Sequence, residues 1–160
     1  MIGARVAVAP DVEELTELVR LAAAEALAKR GGPEWDRYDR YRREPIAREL
    51  TDDIATGQRC QVVCGTIDGA VVGYATVVRV GTLARMVELF THPRARSVGV
   101  GAAMLQLVST MASHWGCTEL ESVALPGDRD TKNFFESHAM KSRLLVVGRR
   151  VEANADDDRT

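Results

Sequence analysis

The hydrophobic pattern changes from helical to extended spacing midway along the chain, and this change restricts the possible folds more than any other feature. In its first part, apolar side chains recur every three or four residues through 12–26 and again through 46–54, which predicts two helices. After residue 59, two runs rich in β-branched side chains flank Asp68-Gly69, a pair typical of tight hairpins. The sequence therefore predicts a sheet assembled mainly after two helices.

The other periodic segments complete the predicted order of strands and helices along the chain. Residues 33–43 are polar with interleaved aromatics and predict a solvated loop or frayed helix, because acidic residues dilute the basic charge. The order β-α-α-β-β-β-α-β-α-β predicts an α/β (α+β) fold in which helices cover a mixed sheet. The predicted strands are 4–9, 60–67, 70–80, 86–91, 119–125 and 143–151, and the predicted helices are 12–26, 46–54, 100–115 and 131–138.

Length and composition indicate one ordinary globular domain. A chain of 160 residues has room for a single core, which we expect to span 1–151 and to leave 152–160 as a disordered acidic tail. The formal net charge of −2 demands no polyanionic partner, so we expect no nucleic-acid binding. Apolar stretches such as Leu21–Leu27 are too short to cross a bilayer, and the first residues lack a signal-peptide core. We therefore expect a cytoplasmic protein without membrane contact.

The three cysteines and three histidines predict neither a disulfide framework nor a metal site. Cys60 and Cys64 lie four residues apart in a predicted strand, which separates their Cα atoms by about 13 Å, beyond the ~7 Å that a disulfide tolerates. We expect both to be buried thiols. Cys117 and His114 have no further ligand at zinc-binding spacing, so no metal is expected.

Gly99 and Gly101 lie where a strand gives way to a helix. Backbone N–H groups at a helix start have no intrahelical partner, and glycine lets a ligand approach the main chain. Together with the helix dipole, these features predict a phosphate or pyrophosphate site. A P-loop is excluded because no lysine follows Gly101. Two alternatives stay open, a dinucleotide fingerprint with Glu119 or Glu121 as its ribose-binding acid, and a glycine turn chosen for packing.

The residues around this loop carry more information than the two glycines. Arg96, Gly99 and Gly101 fit the pattern Q/R-x-x-G-x-G/A, and Thr91-His92-Pro93 stands where a V-x-P step precedes it. Residues 87–101 thus resemble the signature of the GNAT superfamily of acyl-CoA-dependent N-acetyltransferases. The resemblance implies a mixed, mostly antiparallel sheet flanked by helices. It also implies transfer of an acetyl group from acetyl-CoA, the cosubstrate, to a primary amine of a small molecule or peptide by direct attack.

The same resemblance assigns cofactor contacts to three segments. Main-chain amides of the loop would hold the pyrophosphate, and the preceding strand would receive the pantetheine arm as an additional strand. The helix predicted at 131–138 would contribute two side chains. The implied cofactor-binding residues are Leu89, Phe90, Thr91, His92 and Pro93 on and after the strand, Arg96, Ser97, Val98, Gly99, Val100 and Gly101 in the loop, and Asn133 and Phe135 on the helix.

Two carboxylates are candidates for removing the proton of the amine. Glu88 lies near the end of its strand, where relatives often place a carboxylate that acts through water, and Glu121 on the next strand is the second candidate. Phe135 stands where relatives carry a tyrosine that protonates the leaving thiolate, so water, Tyr74 or Ser137 would supply that proton. This replacement keeps open an alternative function, a catalytically weak acyl-CoA-binding or sensing module.

The acceptor pocket is expected to be shaped by residues 31–50. After the last helix relatives often have two strands, whereas this sequence predicts one, at 143–151. Either the pocket is open or a second subunit closes it in a homodimer. The side chains expected to receive a cationic amine are Trp35, Tyr38 and Tyr41 together with Glu34, Asp36 and Asp39.

Overall fold

Five strands hydrogen-bond in chain order into one sheet, with helices on both of its faces. The computed structural model describes residues 1–153. The strands are β1 (Ile2–Val6), β2 (Gln61–Ile67), β3 (Ala70–Val80), β4 (Leu83–Thr91) and β5 (Glu119–Ser122). The helices are α1 (Val12–Leu27), α2 (Gly32–Tyr38), α3 (Ile46–Thr56), α4 (Val100–His114) and α5 (Arg129–Ser137), with 3-10 turns at Ala9–Asp11 and Pro93–Ala95.

The sheet is mixed but mostly antiparallel, which confirms the predicted fold class. β1 to β4 pair antiparallel in succession, whereas β5 runs parallel to β4. β2 and β3 join through the predicted Asp68-Gly69 turn, where both residues have positive φ, 48° and 86°. Two successive positive φ angles are what a type I′ hairpin turn requires, and its twist matches that of the flanking strands.

Alternation along the central strands divides the core into two layers. Val62 and Cys64 of β2 pack with α1 and α3, and this set is called the α1/α3 layer. Val63, between them, packs with α4 on the other side of the sheet, in the α4 layer. Cys60 and Cys64 are buried free thiols, as predicted. None of the described helices is long and apolar enough to cross a membrane.

A β-bulge changes the direction of the side chains near the end of β4. One pair of the β3–β4 register joins Thr76 to Glu88 and the next joins Val77 to Met86, so Val87 is an extra residue. Met86 packs in the α4 layer. Strict alternation would place Glu88 there as well, but the bulge turns it to the opposite side, where it contacts Thr76.

Two segments differ in kind from the sequence prediction, and three predicted strands differ in their bounds by more than one residue, 4–9 being observed as Ile2–Val6, 86–91 as Leu83–Thr91 and 119–125 as Glu119–Ser122. Residues 32–38 form α2, where a loop or frayed helix was expected. Residues 143–151, the predicted final strand, pair with no strand in the part of the chain that the structure describes, and Leu144 to Val147 are 83% to 92% exposed. Strand propensity does not supply the neighbouring edge that a strand needs. Residues 154–160, most of the predicted acidic tail, lie outside the described residues.

Gly65 of β2 lies under the first turn of α4, where a Cβ would approach Val100 Cγ1 to 2.6 Å and Met104 Sδ to 2.8 Å. We expect Gly65→Ala to lower the free energy of unfolding by roughly 1–3 kcal/mol, because a packed core has no room for another methyl group. Urea unfolding measures the loss. Gly3→Ala on neighbouring β1 is the matched control, since its Cβ meets Thr66 Oγ1 at 3.4 Å, an ordinary contact. Equal losses in the two variants would contradict this account.

Candidate active site

The parallel pairing of β4 with β5 ends before β4 does. The register runs from Leu83 opposite Glu119 to Met86 opposite Ser122, and residues 87–91 have no described partner on that side. The chain leaves β5 after Ser122, and residues 123–125 line a cavity together with residues 87–91. The free side of β4 is therefore a row of backbone donors and acceptors available to an added extended chain.

The cavity has a volume of about 970 Å³, at the upper end of the range typical of ligand pockets. It is bounded by the second half of α1, α2, the end of β4, the loop before α4, and α5. A ligand as long as a nucleotide with an extended arm fits a cavity of this size. The predicted cofactor-binding residues that line it are Leu89, Phe90, Thr91, Arg96, Ser97, Gly99, Gly101 and Asn133.

The other predicted cofactor-binding residues lie behind or beside the cavity wall. Val100 is 1% exposed and its side chain packs in the α4 layer, so its backbone amide is the group that reaches a ligand. Val98 is exposed beside the loop. His92 Nδ1 accepts a hydrogen bond from the amide of Arg94 at 3.2 Å, which starts the turn that contains Pro93.

Of the two α5 residues predicted to contact the cofactor, Asn133 lines the cavity and Phe135 does not. Asp130, Asn133, Phe134 and Ser137 recur along the wall at helical spacing. Phe135 lies one position farther around the helix and packs in the α4 layer, 7% exposed. Phe134 therefore replaces Phe135 as the aromatic residue of the cavity. The helical period within α5 is the signal that identifies this side.

The loop before α4 presents backbone amides without partners. Ser97 and Gly99 have left-handed φ angles of 64° and 104°. The first amide of α4 to bond within the helix is that of Ala103, which donates to the Gly99 carbonyl at 3.0 Å. The amides of residues 97–102 donate no hydrogen bond to the described residues. Such a row of amides at the positive end of a helix dipole is suited to a phosphate or pyrophosphate.

Gly101 has a spatial reason to be glycine. A Cβ at this position would lie 3.3 Å from the ring of Phe134 and 3.9 Å from Thr91 Oγ1. A larger residue would press α4 against α5 where both border the cavity. The second glycine of the signature therefore lets the two elements close around the loop amides.

A chain of ion pairs connects the loop to α1 and α5. Arg96 donates to the Thr91 carbonyl at 2.9 Å and to both oxygens of Glu25 at 2.9 and 2.8 Å. Lys29 lies 3.2 Å from Glu25 and 2.9 Å from Asp128. Burial raises the pKa of both carboxyls, but the cationic partners outweigh it and hold each pKa below its usual value. Arg96 thus holds the loop against Thr91 and α1.

Glu88 belongs to a buried cluster centred on Arg42, a residue that the sequence did not single out. The Arg42 side chain is 0% exposed and lies 2.7 Å from Asp53 Oδ2 and 3.1 Å from Glu88 Oε2. The Thr76 hydroxyl donates to the same Glu88 oxygen at 2.6 Å. Arg59 donates to both oxygens of Asp53. No sequence pattern indicates Arg42, because it lies in a polar segment typical of a solvated loop.

The pKa values of the two carboxylates beside Arg42 are shifted in opposite directions. Burial raises the pKa of Glu88 above its ordinary value, although Arg42 and Thr76 oppose the shift. Burial also raises the pKa of Asp53, but hydrogen bonds from Arg59 and Arg42 outweigh it and hold that pKa at about 2. Two neighbouring carboxylates whose pKa values are shifted in opposite directions are suited to different chemical roles. Asp53 is the permanent counterion, and Glu88 is suited to exchanging a proton.

Glu88 keeps one oxygen available on the cavity side. Its side chain is 11% exposed and lines the cavity, and its Oε1 accepts no hydrogen bond from residues 1–153. Glu121 is placed differently. It lies outside the cavity wall, 3.7 Å from Arg85, which is also 3.7 Å from Asp39 at the end of α2.

Tyr74 of β3 lies on the same side of the sheet as Glu88. It is 2% exposed, lines the cavity, and pairs in register with Phe90. Its hydroxyl has no hydrogen-bond partner in the described part of the chain, and it is not one of the polar atoms that are fully buried without a partner. Burial raises the pKa of Tyr74 well above its ordinary value, so the phenol is neutral and carries a proton.

The family model described as Acetyltransferase (GNAT) family matches residues 18–140. This chain belongs to the GNAT acetyltransferase family. No curated protein matches the sequence. The fold of this GNAT protein is shared with solved structures at low sequence identity.

Three structures illustrate the shared fold. The aminoglycoside N-acetyltransferase AAC(6')-Iy in complex with CoA has a TM-score of 0.72 at 14% identity, covering 96% of each chain. A PaiA N-acetyltransferase from Thermoplasma acidophilum, in complex with coenzyme A, has a TM-score of 0.69 at 16% identity, covering 86% of this chain and 88% of that one. A ribosomal-protein-alanine N-acetyltransferase from Brucella melitensis biovar Abortus 2308 has a TM-score of 0.67 at 15% identity, covering 94% and 100%.

Asp53 is expected to make this GNAT protein less stable in acid. Its folded pKa of about 2 lies below the ordinary 3.8, so the ionised form stabilises the fold above that ordinary value. The contribution, roughly 2 kcal/mol, is lost as pH falls through the folded pKa. Urea unfolding at neutral and acidic pH measures it. Asp53→Asn should remove this acid-sensitive component, whereas Asp52→Asn, on the exposed side of α3, should retain it. Equal acid sensitivity in Asp53→Asn and the unmodified protein would contradict the assignment.

Proposed function

We propose that this protein is an N-acetyltransferase that transfers an acetyl group from acetyl-CoA to a primary amine by direct attack. One observation carries the proposal. The free side of β4 leads directly into the unpaired loop amides, and the buried carboxylate of Glu88 reaches the same cavity. Membership of the GNAT family and the CoA complexes of proteins with the same fold support it.

The cosubstrate would be held mainly by the main chain. The amides of residues 97–102 would bind the pyrophosphate, each through a charge-assisted hydrogen bond of roughly 1.5–3 kcal/mol. The pantetheine arm would pair with residues 87–91 as an added strand. Leu89, Phe90 and Asn133 would border this arm. A backbone amide near Phe90 or Thr91 would then polarise the thioester carbonyl, because it would donate to the oxygen on which negative charge develops.

Glu88 would remove the proton of the attacking amine through water. Its Oε2 is fixed by Arg42 and Thr76, which leaves Oε1 for a water molecule in the cavity. The raised pKa of the carboxyl improves its match to a base working near neutral pH. As the C–N bond forms, the ammonium proton would pass through this water to Glu88, and the C–S bond would then break.

Tyr74 would return a proton to the leaving thiolate. Phe134 and Phe135 have no acidic proton, and the Ser137 hydroxyl already donates to the Phe134 carbonyl at 2.7 Å. The unengaged phenol of Tyr74 lies opposite Phe90, beside the strand that would hold the thioester. Transfer of its proton to the thiolate gives CoA. Glu88 would then release the proton of the amine to water in the cavity, and the Tyr74 phenolate would regain a proton from the same water.

The acceptor would enter beside α2. Trp35, Tyr38 and Asp39 line the cavity, in agreement with a site for an amine that carries an aromatic or cationic surface. Tyr41 instead packs between Arg42 and Arg59, with guanidinium-to-ring distances of 5.4 and 5.0 Å. Asp36 pairs with Arg40 at 2.9 Å and fixes the end of α2. A primary amine of a small molecule or a peptide is the substrate class that we propose.

Glu88→Gln is expected to leave acetyl-CoA binding unchanged and to lower kcat by about 100- to 10,000-fold, as for loss of a general base. Glu121→Gln is the matched control, because that carboxylate lies on the neighbouring strand outside the cavity, and it should keep near-normal kcat. Isothermal titration measures binding, and release of free CoA thiol over a panel of amines and peptides measures turnover. The unmodified enzyme should lose activity as pH falls through the raised pKa of Glu88, and the Gln variant should lack this limb.

The same measurements distinguish the alternatives. Binding of NAD without CoA would overturn the acetyl-CoA site and favour a dinucleotide-binding protein. Tight CoA binding without turnover of any amine, together with no effect of Glu88→Gln, would favour an acyl-CoA-binding or sensing module. Equal kcat losses in the two Gln variants would remove Glu88 from the mechanism while leaving the cosubstrate site intact.

Tyr74→Phe tests the proton donor. We expect acetyl-CoA affinity to be retained and kcat to fall by about 100-fold, because the thiolate would leave without an acid nearby. Ser137→Ala is the matched control, since its hydroxyl is already bonded to a backbone carbonyl, and it should keep its rate. Near-normal kcat in Tyr74→Phe would show that water protonates the thiolate. A fall in Ser137→Ala alone would transfer the role to that residue.

A further inference from the structure

Arg85 of β4 brings a positive charge to the acceptor side of the cavity. It lines the cavity wall, and its side chain is 40% exposed. The carboxylates of Asp39 and Glu121 each lie 3.7 Å from its guanidinium, which is longer than a hydrogen bond. The other arginine and lysine side chains of the wall each donate to a carboxylate at 3.2 Å or less, and these are Lys29, Arg40, Arg42 and Arg96. Within residues 1–153, Arg85 is therefore the cation of the wall whose donors are available to a ligand.

The β-bulge places Arg85 on the same side of the sheet as Glu88. The two residues are three positions apart, so in a regular strand their side chains would face opposite sides. Across the bulge, Arg85 pairs with Val78, and Val78 packs against the α1/α3 layer. Glu88 pairs with Thr76, two residues from Val78 on β3. Directly paired residues share a side of the sheet, so Arg85 and Glu88 start about 7 Å apart along one face.

Asp39 and Arg85 form a loose ion pair between two walls of the cavity. Asp39 follows α2, Arg85 lies on β4, and both line the cavity. Asp39 and Glu121 are 45% and 36% exposed, so solvent screens the attraction of each for the guanidinium. A carboxylate that accepts two parallel hydrogen bonds from an arginine is held more strongly than one that accepts none. A ligand carboxylate can therefore take the place of Asp39.

We propose that Arg85 determines acceptor specificity by binding a carboxylate of the acceptor, so that the substrates are amines that also carry a carboxylate, such as amino acids and short peptides. The inference rests on the proposed acetyl transfer, because Glu88 marks where the amine reacts. The amine lies near Glu88, and the carboxylate extends along the same face to Arg85. Asp39 holds Arg85 before the acceptor binds and gives way to the incoming carboxylate.

Three series of primary amines test the proposal, with chains of equal length that end in a carboxylate, a methyl group or an ammonium group. We expect the lowest KM for the carboxylate series. Arg85→Gln should raise that KM by about tenfold through loss of charge-assisted hydrogen bonds, with kcat near normal and no change for the methyl series. Arg79→Gln is the matched control and should change nothing, because Arg79 is exposed on β3, pairs with Ala84 of the α4 layer and lies outside the cavity wall.

Three further variants test the charge and shape of the contact. Asp39→Asn removes the competing carboxylate and should lower KM for the carboxylate series, whereas it would raise KM for diamines if Asp39 bound the second ammonium group. Arg85→Glu reverses the charge and should make the ammonium series the best acceptors. Arg85→Lys keeps the charge without the planar fork and should recover part of the affinity that Arg85→Gln loses.

Binding measurements separate this proposal from acetyl transfer itself. Isothermal titration of the same amines into the free and the CoA-loaded protein measures affinity without turnover, and circular dichroism checks that each variant is folded. Absence of acetylation would reject the proposed function, whereas carboxylate binding that weakens in Arg85→Gln would retain the carboxylate site. Tighter binding of the ammonium series by the unmodified protein would overturn the proposal. Equal effects of Arg85→Gln on the carboxylate and methyl series would also overturn it.

Discussion

Backbone hydrogen bonding along one side of β4 is incomplete, and the arrangement of the functional site depends on this feature. The pairing of β5 with β4 ends at Met86, so the last five residues of β4 lack a strand partner on that side within the described part of the chain. A row of unpaired peptide groups at the centre of a fold needs either water or a ligand. The loop that follows adds further unpaired amides at the start of α4. The two together form a continuous main-chain surface that side-chain substitutions alter only indirectly.

Around this surface, buried ion pairs fix the positions of side chains, whereas burying such a pair adds little stability over apolar packing. Arg42 is held by Asp53, whose pKa of about 2 keeps it ionised. Another contact of Arg42 fixes one oxygen of Glu88, and Glu88 also lines the cavity. The ion pairs of Glu25 and Lys29 also hold side chains in position, because they connect α1 with Arg96 and with α5 beside the cavity.

Family membership and site chemistry are separate conclusions. The GNAT match establishes the family, and the solved structures that resemble this chain establish the fold. The acceptor class stays a proposal, argued from the α2 residues that line the cavity.

The sequence by itself determined the order of most elements, the Asp68-Gly69 hairpin and the loop from Arg96 to Gly101, because turn chemistry and hydrophobic period are local properties. The tertiary structure decided what depends on distant neighbours. The bulge at Val87 turns Glu88 toward Arg42, a residue 46 positions away in sequence, and α5 packing directs Phe134 rather than Phe135 to the cavity. Strand propensity at 143–151 was visible in the sequence, but a strand also needs an edge to pair with, and no local pattern supplies one.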